Sequence, residues 1–330
     1  MSQILVTGGA GFIGTHVACC LVRMGHSVVL LDDLSGGYED NVPDGAKLII
    51  GGVTDNGLLK EIFTSYRFEY VYHLAAYAAE GLSHFIRAFN YTNNLIGSVN
   101  LINQSVIHGV KCFVFTSSIA VYGSNQLPMH EDLIPRPEDP YGIAKLAVEQ
   151  DLKAAREMFG LNYIIFRPHN VYGENQNIGD RYRNVVGIFM NEIMHGKPMT
   201  IFGDGTQTRG FSYIGDVAPV IAQGAFCEPA YGQVFNVGGD TPLCLNDLAN
   251  RVANAMGVEP QLTYLPARRE VLHAYASHEK VKKLFGATAN TPLDEGLGRM
   301  ASWVKKVGGR KSRFFERIEV DKNLPAIWRE

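Results

Sequence analysis

The sequence predicts an α/β fold, a doubly wound parallel sheet carrying a smaller, interleaved C-terminal lobe. Three observations predict it. Short apolar runs alternate with helical patterns through the first half of the chain, a glycine-rich turn joins the first run to the first helix, and the text beyond Phe166 changes to loops and short elements. Such alternation argues for parallel strands, because parallel neighbours need crossover connections and end up covered on both faces.

Ile4-Leu5-Val6 reads as a strand, Thr7 to Gly14 as a tight turn, and the apolar-periodic stretch to Met24, closed by Gly25, as a helix. Ser27 to Leu31 is a second strand ending in Asp32-Asp33, and Lys47 to Ile50, Tyr70 to Leu74 and Cys112 to Thr116 are further buried-strand candidates. After Phe166 come Pro168, a polar segment from Gly173 to Asn184 and the turn-rich Phe202 to Arg209. The tail from Arg310 mixes basic residues with Phe314, Phe315, Ile318 and Trp328, a candidate docking segment.

With 330 residues, 46% of them hydrophobic, and 30 basic against 33 acidic side chains, the chain can bury a full core and reads as soluble and globular. A net charge of −3 leaves no broad basic surface for nucleic acid or anionic lipid, so the expected partner is small, with any phosphate met by a few placed groups. Cys19, Cys20, Cys112, Cys227 and Cys244 are odd in number and scattered, without a C-x-x-C pair, which suits a reducing compartment. No apolar run approaches the ~18 residues of a membrane span, so the cytoplasm is the expected location. The histidines, including His16 and His108, show no ligand spacing, and no metal is expected.

Gly8, Gly11 and Gly14 have G-x-x-G-x-x-G spacing between a strand and a helix. Small residues there let the backbone turn sharply and approach a pyrophosphate, whose charge is met by free N–H groups and the helix dipole. Asp32, at the end of the next strand, can accept hydrogen bonds from both ribose hydroxyls, whereas a 2′-phosphate would meet like charge. No arginine follows in Asp33-Leu34-Ser35-Gly36, so the expected cofactor is NAD rather than NADP.

Tyr141 and Lys145 stand four apart and share a helix face. A nearby ammonium, with the cationic nicotinamide, would draw the phenol from its usual pKa of ~10 toward neutrality and make a general base. Upstream, the apolar run Phe113 to Phe115 ends in Thr116-Ser117-Ser118, where Ser118 can hydrogen-bond the same substrate oxygen.

The glycine motif, the set Ser118, Tyr141 and Lys145, and Leu74-Ala75-Ala76, in this order, resemble the extended short-chain dehydrogenases/reductases that modify nucleotide sugars, over nearly the whole chain. The resemblance implies a Rossmann-type NAD-binding domain over residues 1–166 with roughly 211–236, and a nucleotide-sugar lobe over 167–210 and 237–330. It adds Phe12, Ile13, Val53, Leu74, Ala75, Ala76 and Asn94 to the cofactor contacts, beside Tyr141 and Lys145. It also implies that Tyr141 takes the proton of a sugar hydroxyl while the carbon beneath gives hydride to NAD. A keto intermediate then turns over and receives the hydride on its other face.

Family 4,6-dehydratases carry Ser-Thr-Asp-Glu-Val-Tyr-Gly after the strand, decarboxylases keep a glutamate there, and GDP-mannose 3,5-epimerases need a cysteine at what is here Ala120. This chain reads Ser117-Ser118-Ile119-Ala120-Val121-Tyr122-Gly123, with no proton-moving group in that pair, which favours a UDP-hexose or UDP-hexuronate 4-epimerase. By the same resemblance Asn170, Asn184, Arg209, Arg268 and Tyr275 are expected at the substrate, the two arginines on its diphosphate, with Arg269 an alternative to Arg268. Where UDP-galactose 4-epimerases have an adenine-binding aspartate this chain has Gly52, and their lysine after the fourth strand is Ala78; Glu80 or His84 is expected at the sugar instead. A homodimer through helices near Asn94 to His108 and Ile143 to Phe159 is implied too. The alternatives are a related dehydratase or reductase drawing its acid from Glu80, and a non-catalytic NAD-binding sensor, against which the intact Tyr141–Lys145 pair argues.

Overall fold

Each apolar run of the first half becomes a parallel strand. In the computed structural model, which describes residues 1–286, 291–312 and 314–329, these are β1 (Gln3–Thr7), β2 (Ser27–Asp32), β3 (Ala46–Ile50), β4 (Tyr70–His73), β5 (Cys112–Thr116) and β6 (Tyr163–Pro168). A seventh strand, Gln233–Val237, joins the edge after the chain has left the sheet and returned, giving the order 233–237, β6, β5, β4, β1, β2, β3. Every pairing is parallel, with Thr7 opposite both Leu31 and His73 and Thr116 opposite Phe166, so the carboxyl ends of the strands line one edge. Residues 287–290, Arg313 and Glu330, the latter two within the tail, lie outside the described residues.

Alternation along the strands feeds two cores. Ile4, Val6, Leu30, Val114 and Ile164 pack on one face, Leu5, Val29, Leu31, Phe113 and Phe115 on the other. The first core continues into the smaller lobe through Phe189, Leu248 and Met300, so sheet and lobe share one interior.

The helices α1 (Phe12–Arg23), α2 (Asn56–Tyr66), α3 (Glu80–Ser83), α4 (Arg87–Tyr91), α5 (Gly97–Ile107) and α6 (Pro140–Phe159) fill the crossovers. A π turn, Thr92–Ile96, links α4 to α5. The start of α6 is strongly specified: Asp139 accepts from the Gly142 N–H at 2.9 Å, Pro140 occupies the first turn, and Gly160 ends the helix at φ +74°. Beyond the sheet, α7 (Val185–Met194), α8 (Ile214–Gly224), α9 (Leu245–Met256), α10 (Glu279–Phe285) and α11 (Leu293–Val307) follow, with α8 packed on α1 and α11 on α9. None of the described helices is long and apolar enough to cross a membrane.

The tail packs on its own chain. Leu324 and Trp328 join Ala79, Leu82, Ile86 and Tyr182 in a separate buried cluster, with Phe315 and Ile318 at its margin. Glu319 fastens it by accepting from the Ala88 and Phe89 N–H groups at 2.7 and 2.8 Å.

One buried ion pair ties β5, β6 and α6 together. Glu149 on α6 takes a bidentate contact from Arg167 of β6, Nε at 3.0 Å and Nη2 at 2.5 Å, and accepts from the Ser117 hydroxyl at 2.5 Å. Both charged side chains are only 4% exposed, and the guanidinium lies over the Tyr122 ring at 4.7 Å. Removing one partner of such a pair strands the other charge, at a cost of about 3–5 kcal/mol. Arg167→Met is therefore expected to lower unfolding stability by about that amount in urea titrations, and Glu149→Gln added to it to restore part of the loss. Equal melting of Arg167→Met and the parent protein would show that the pair is not structural.

Candidate functional site

The carboxyl edge of the sheet opens into a cleft of about 1020 Å³, and the glycine turn forms one wall. Gly8 sits at φ +69°, and a Cβ there would come 2.7 Å from the Ala75 nitrogen; one on Gly14 would come 2.0 Å from the Gly8 carbonyl. The spacing is thus imposed by backbone meeting backbone between the β1–α1 turn and the segment after β4. The N-terminus of α1, capped by Gly11 and free of acidic residues in its first turn, faces this cleft with its N–H groups.

Asp32 ends β2, its Oδ2 accepting from the Ala10 N–H at 3.0 Å and its Oδ1 from Leu34 at 2.8 Å. Burial raises its carboxyl above the ordinary range, against the pull of these N–H donors. A side-chain-free cradle, a helix start and a carboxylate one strand over fit the dinucleotide that the sequence predicts.

All the site residues expected from sequence line this one cleft except Asn94 and Tyr275. Asn94 is buried behind the wall, where its amide accepts from the Tyr77 N–H at 2.8 Å and donates to the Tyr77 carbonyl at 3.1 Å, and so holds the turn after β4. Tyr275 follows Ala274, which lines the cleft, but is not itself among the lining residues. Of the open pairs, Glu80 reaches the cleft while His84 lines an adjoining cavity of about 580 Å³, and Arg268 reaches it while Arg269 does not.

On α6, the Lys145 ammonium donates to the Thr116 carbonyl at 2.8 Å and stands 5.8 Å from the centre of the Tyr141 ring. Ser118 accepts from the Ala120 N–H at 3.1 Å and hydrogen-bonds the Tyr141 hydroxyl. Burial pushes Lys145 down to about 7, opposed by Glu149. It pushes the Tyr141 phenol well above its ordinary value; Glu80 adds to the rise and the Ser118 hydrogen bond opposes it. The expected drop toward neutrality is therefore not produced by the chain's own groups, because desolvation and the carboxyls of Glu80 and Asp139 outweigh the Ser118 hydrogen bond and the Arg183 guanidinium.

At the far end, Arg209 and Arg268 both point to Glu270, with Nη2–Oε2 distances of 3.3 and 3.2 Å. Arg268 lies over the Phe202 ring at 4.6 Å and the Trp328 ring at 5.9 Å, and its Nε is buried without a hydrogen-bond partner among the described residues. Glu270 and the tail residues Phe314, Ile327 and Trp328, none of them expected at the site from sequence, also line the cleft. The acid following Arg268-Arg269 was the available signal for Glu270, whereas nothing in the tail's composition says where it docks.

The depressed Lys145 has a stability consequence. Between about 7 and 10.5 the unfolded chain keeps the proton that the folded protein has lost, so this lysine makes stability rise with pH across that window. Comparing cofactor-free protein with Lys145→Met in denaturant titrations should show a steeper rise in the parent; parallel curves would mean that the buried amine keeps its ordinary affinity for protons.

The sequence profile of the NAD dependent epimerase/dehydratase family matches residues 4–238. A UDP-glucose 4-epimerase of Mycolicibacterium smegmatis is 31% identical over 92% of this chain and 98% of its own length. A UDP-glucuronate 4-epimerase of Thermodesulfobacterium geofontis is 30% identical over 93% and 97%. The crystal structure of UDP-glucose 4-epimerase from Thermotoga maritima with UDP-glucose superposes with a TM-score of 0.86 and 34% identity, covering 92% of this chain and 99% of that one. With its profile, its parallel sheet and its glycine cradle in agreement, the chain belongs to the NAD-dependent epimerase/dehydratase family.

Proposed function

We propose that this protein inverts C4 of a UDP-hexose or UDP-hexuronate through a transient 4-keto sugar. The observation that carries the reading is the placement of Ser118, Tyr141 and Lys145 together in the cleft, with Ile119 and Ala120 in the places where elimination chemistry needs an acid. Relatives that act on UDP-glucose and UDP-glucuronate support it.

Bound NAD would supply a hydride acceptor and donor for C4 and a positive ring beside the phenol. Tyr141 receives the C4 hydroxyl proton and later gives it back, with Ser118 orienting the oxygen. Lys145, anchored on Thr116, favours the phenolate. Asp32 accepts from the adenosine ribose. Arg209 and Arg268 bind the diphosphate, turning from Glu270 to a more highly charged partner. Residues 1–166 with 211–236 hold the cofactor, and 167–210 with 237–330 the nucleotide sugar.

A homodimer belongs to this reading: Ile107 at the end of α5, and Ile143, Met158 and Phe159 on α6, are exposed at 70%, 41%, 76% and 65%, large apolar side chains left in solvent on two packed helices. The five free cysteines suit a reducing compartment.

Incubation with NAD and a panel of UDP-sugars, followed by mass spectrometry and proton NMR, should yield an isomer of unchanged mass with inverted C4 coupling. Loss of water or carbon dioxide would contradict the reading. Tyr141→Phe should slow turnover by about 10²–10⁴-fold while NAD remains bound; turnover at the parent rate would remove Tyr141 from the chemistry. Light scattering at micromolar concentration should give twice the chain mass, and a monomer would refute the dimer.

A further inference from the structure

We infer that Glu80 selects the substrate class, its carboxylate favouring a neutral hexose over a hexuronate at the sugar end of the cleft. The inference rests on the 4-epimerase reading, which leaves both sugars open.

Geometry brings this residue to the cleft wall near Tyr141. Helix α3 starts at Glu80, whose carbonyl accepts from the Ser83 hydroxyl at 2.6 Å, and the same hydroxyl reaches the Asp139 carboxylate at 3.4 Å. Asp139 in turn caps α6, two residues before Tyr141. Through this bridge α3 is fastened to the start of α6, and Glu80, Asp139 and Tyr141 share one stretch of the cleft wall. Glu80 is open to the cavity yet ringed by protein, and of the charged groups acting on Tyr141 it acts most strongly.

The surrounding charge is already negative. The groups facing Glu80 are Asp139, Glu270, Arg209 and Arg268, three carboxyls against two guanidinium groups when Glu80 is included, while Arg183, which also acts on the Tyr141 phenol, is paired with Asp180 at 2.6 Å. Both guanidinium groups already lean on Glu270 and are further engaged by the diphosphate, so neither is left to neutralise another anion. A hexuronate carries its carboxylate on the carbon next to C4. With the C4 hydroxyl at Tyr141, that charge lies close to the phenol whichever face the ring presents, and so close to Glu80. At about 6 Å and an effective dielectric of about 20, two such charges repel by enough to alter a preference about a hundredfold. A neutral hexose meets no such repulsion, and its hydroxyls can donate to the carboxylate.

Burial, and then Asp139, raise the Glu80 carboxyl to about 7; Glu270 adds to this, while Arg209 and Arg268 pull it down. The selection should therefore strengthen as pH rises through neutrality and relax below it, where Glu80 is protonated.

The test measures affinity by calorimetry and kcat/KM by coupled assay, for UDP-glucose and UDP-glucuronate, on the NAD-loaded parent protein and Glu80→Gln, from about pH 6 to about pH 8.5. The parent should prefer UDP-glucose in both measurements, increasingly with pH. Glu80→Gln should cut the preference by about a hundredfold, chiefly by gaining the uronate, and flatten its pH profile. A purely structural role for Glu80 would weaken both sugars alike and leave their ratio unchanged. Equal handling of the two sugars by the parent, or an unchanged ratio in Glu80→Gln, would overturn the inference while epimerisation itself stood. A parent that binds UDP-glucose selectively but turns over neither sugar would instead refute the epimerase reading and leave the selection in place.

Discussion

An all-parallel sheet cannot scatter its strand ends, and this constraint organises the molecule. Because every strand runs the same way, the residues that end or follow the strands converge on one edge: the glycine turn after β1, Asp32 after β2, Leu74-Ala75-Ala76 after β4, Ser117-Ser118 after β5 and Asn170 after β6. The cleft is where that edge meets the smaller lobe. One tight requirement is the contact of Gly8 with Ala75, where no side chain fits and two strand-end loops close on each other.

Chemistry is held in readiness at this edge by groups that are uncomfortable there. An ammonium is buried under Tyr141, and the phenol is surrounded by burial and carboxyls, so neither group favours its charged form without a ligand. Nearby, the Glu149–Arg167 pair and the Asp139 cap fix α6 on the sheet, so the costs at Tyr141 and Lys145 are borne by a rigid support. A proton acceptor that waits for the cofactor's positive charge is silent until the site is complete.

What could be read from sequence was local. The glycine spacing, the acid ending β2 and the four-residue step from Tyr141 to Lys145 each depend on a few neighbouring residues and one period, and each falls where the fold puts it. What could not be read is long-range. Asn94 bonds Tyr77 behind the cleft wall, and Tyr275 is not among the residues that line the cleft. Glu270 meets Arg209 only when two strands of the lobe come together, and the tail reaches the cleft because Trp328 finds a cluster built by α3 and Tyr182. The phenol's raised pKa is of the same kind, since the Glu80 that helps raise it lies some sixty positions away in the chain.

The account turns on hydride leaving and returning to one carbon inside a closed cleft. Turnover of a UDP-hexose deuterated at C4, in ordinary water, tests that most directly. The account predicts a product epimer carrying the full label at C4, with none released to solvent or to added NAD. Label lost to water, or recovered in free NADH, would contradict it.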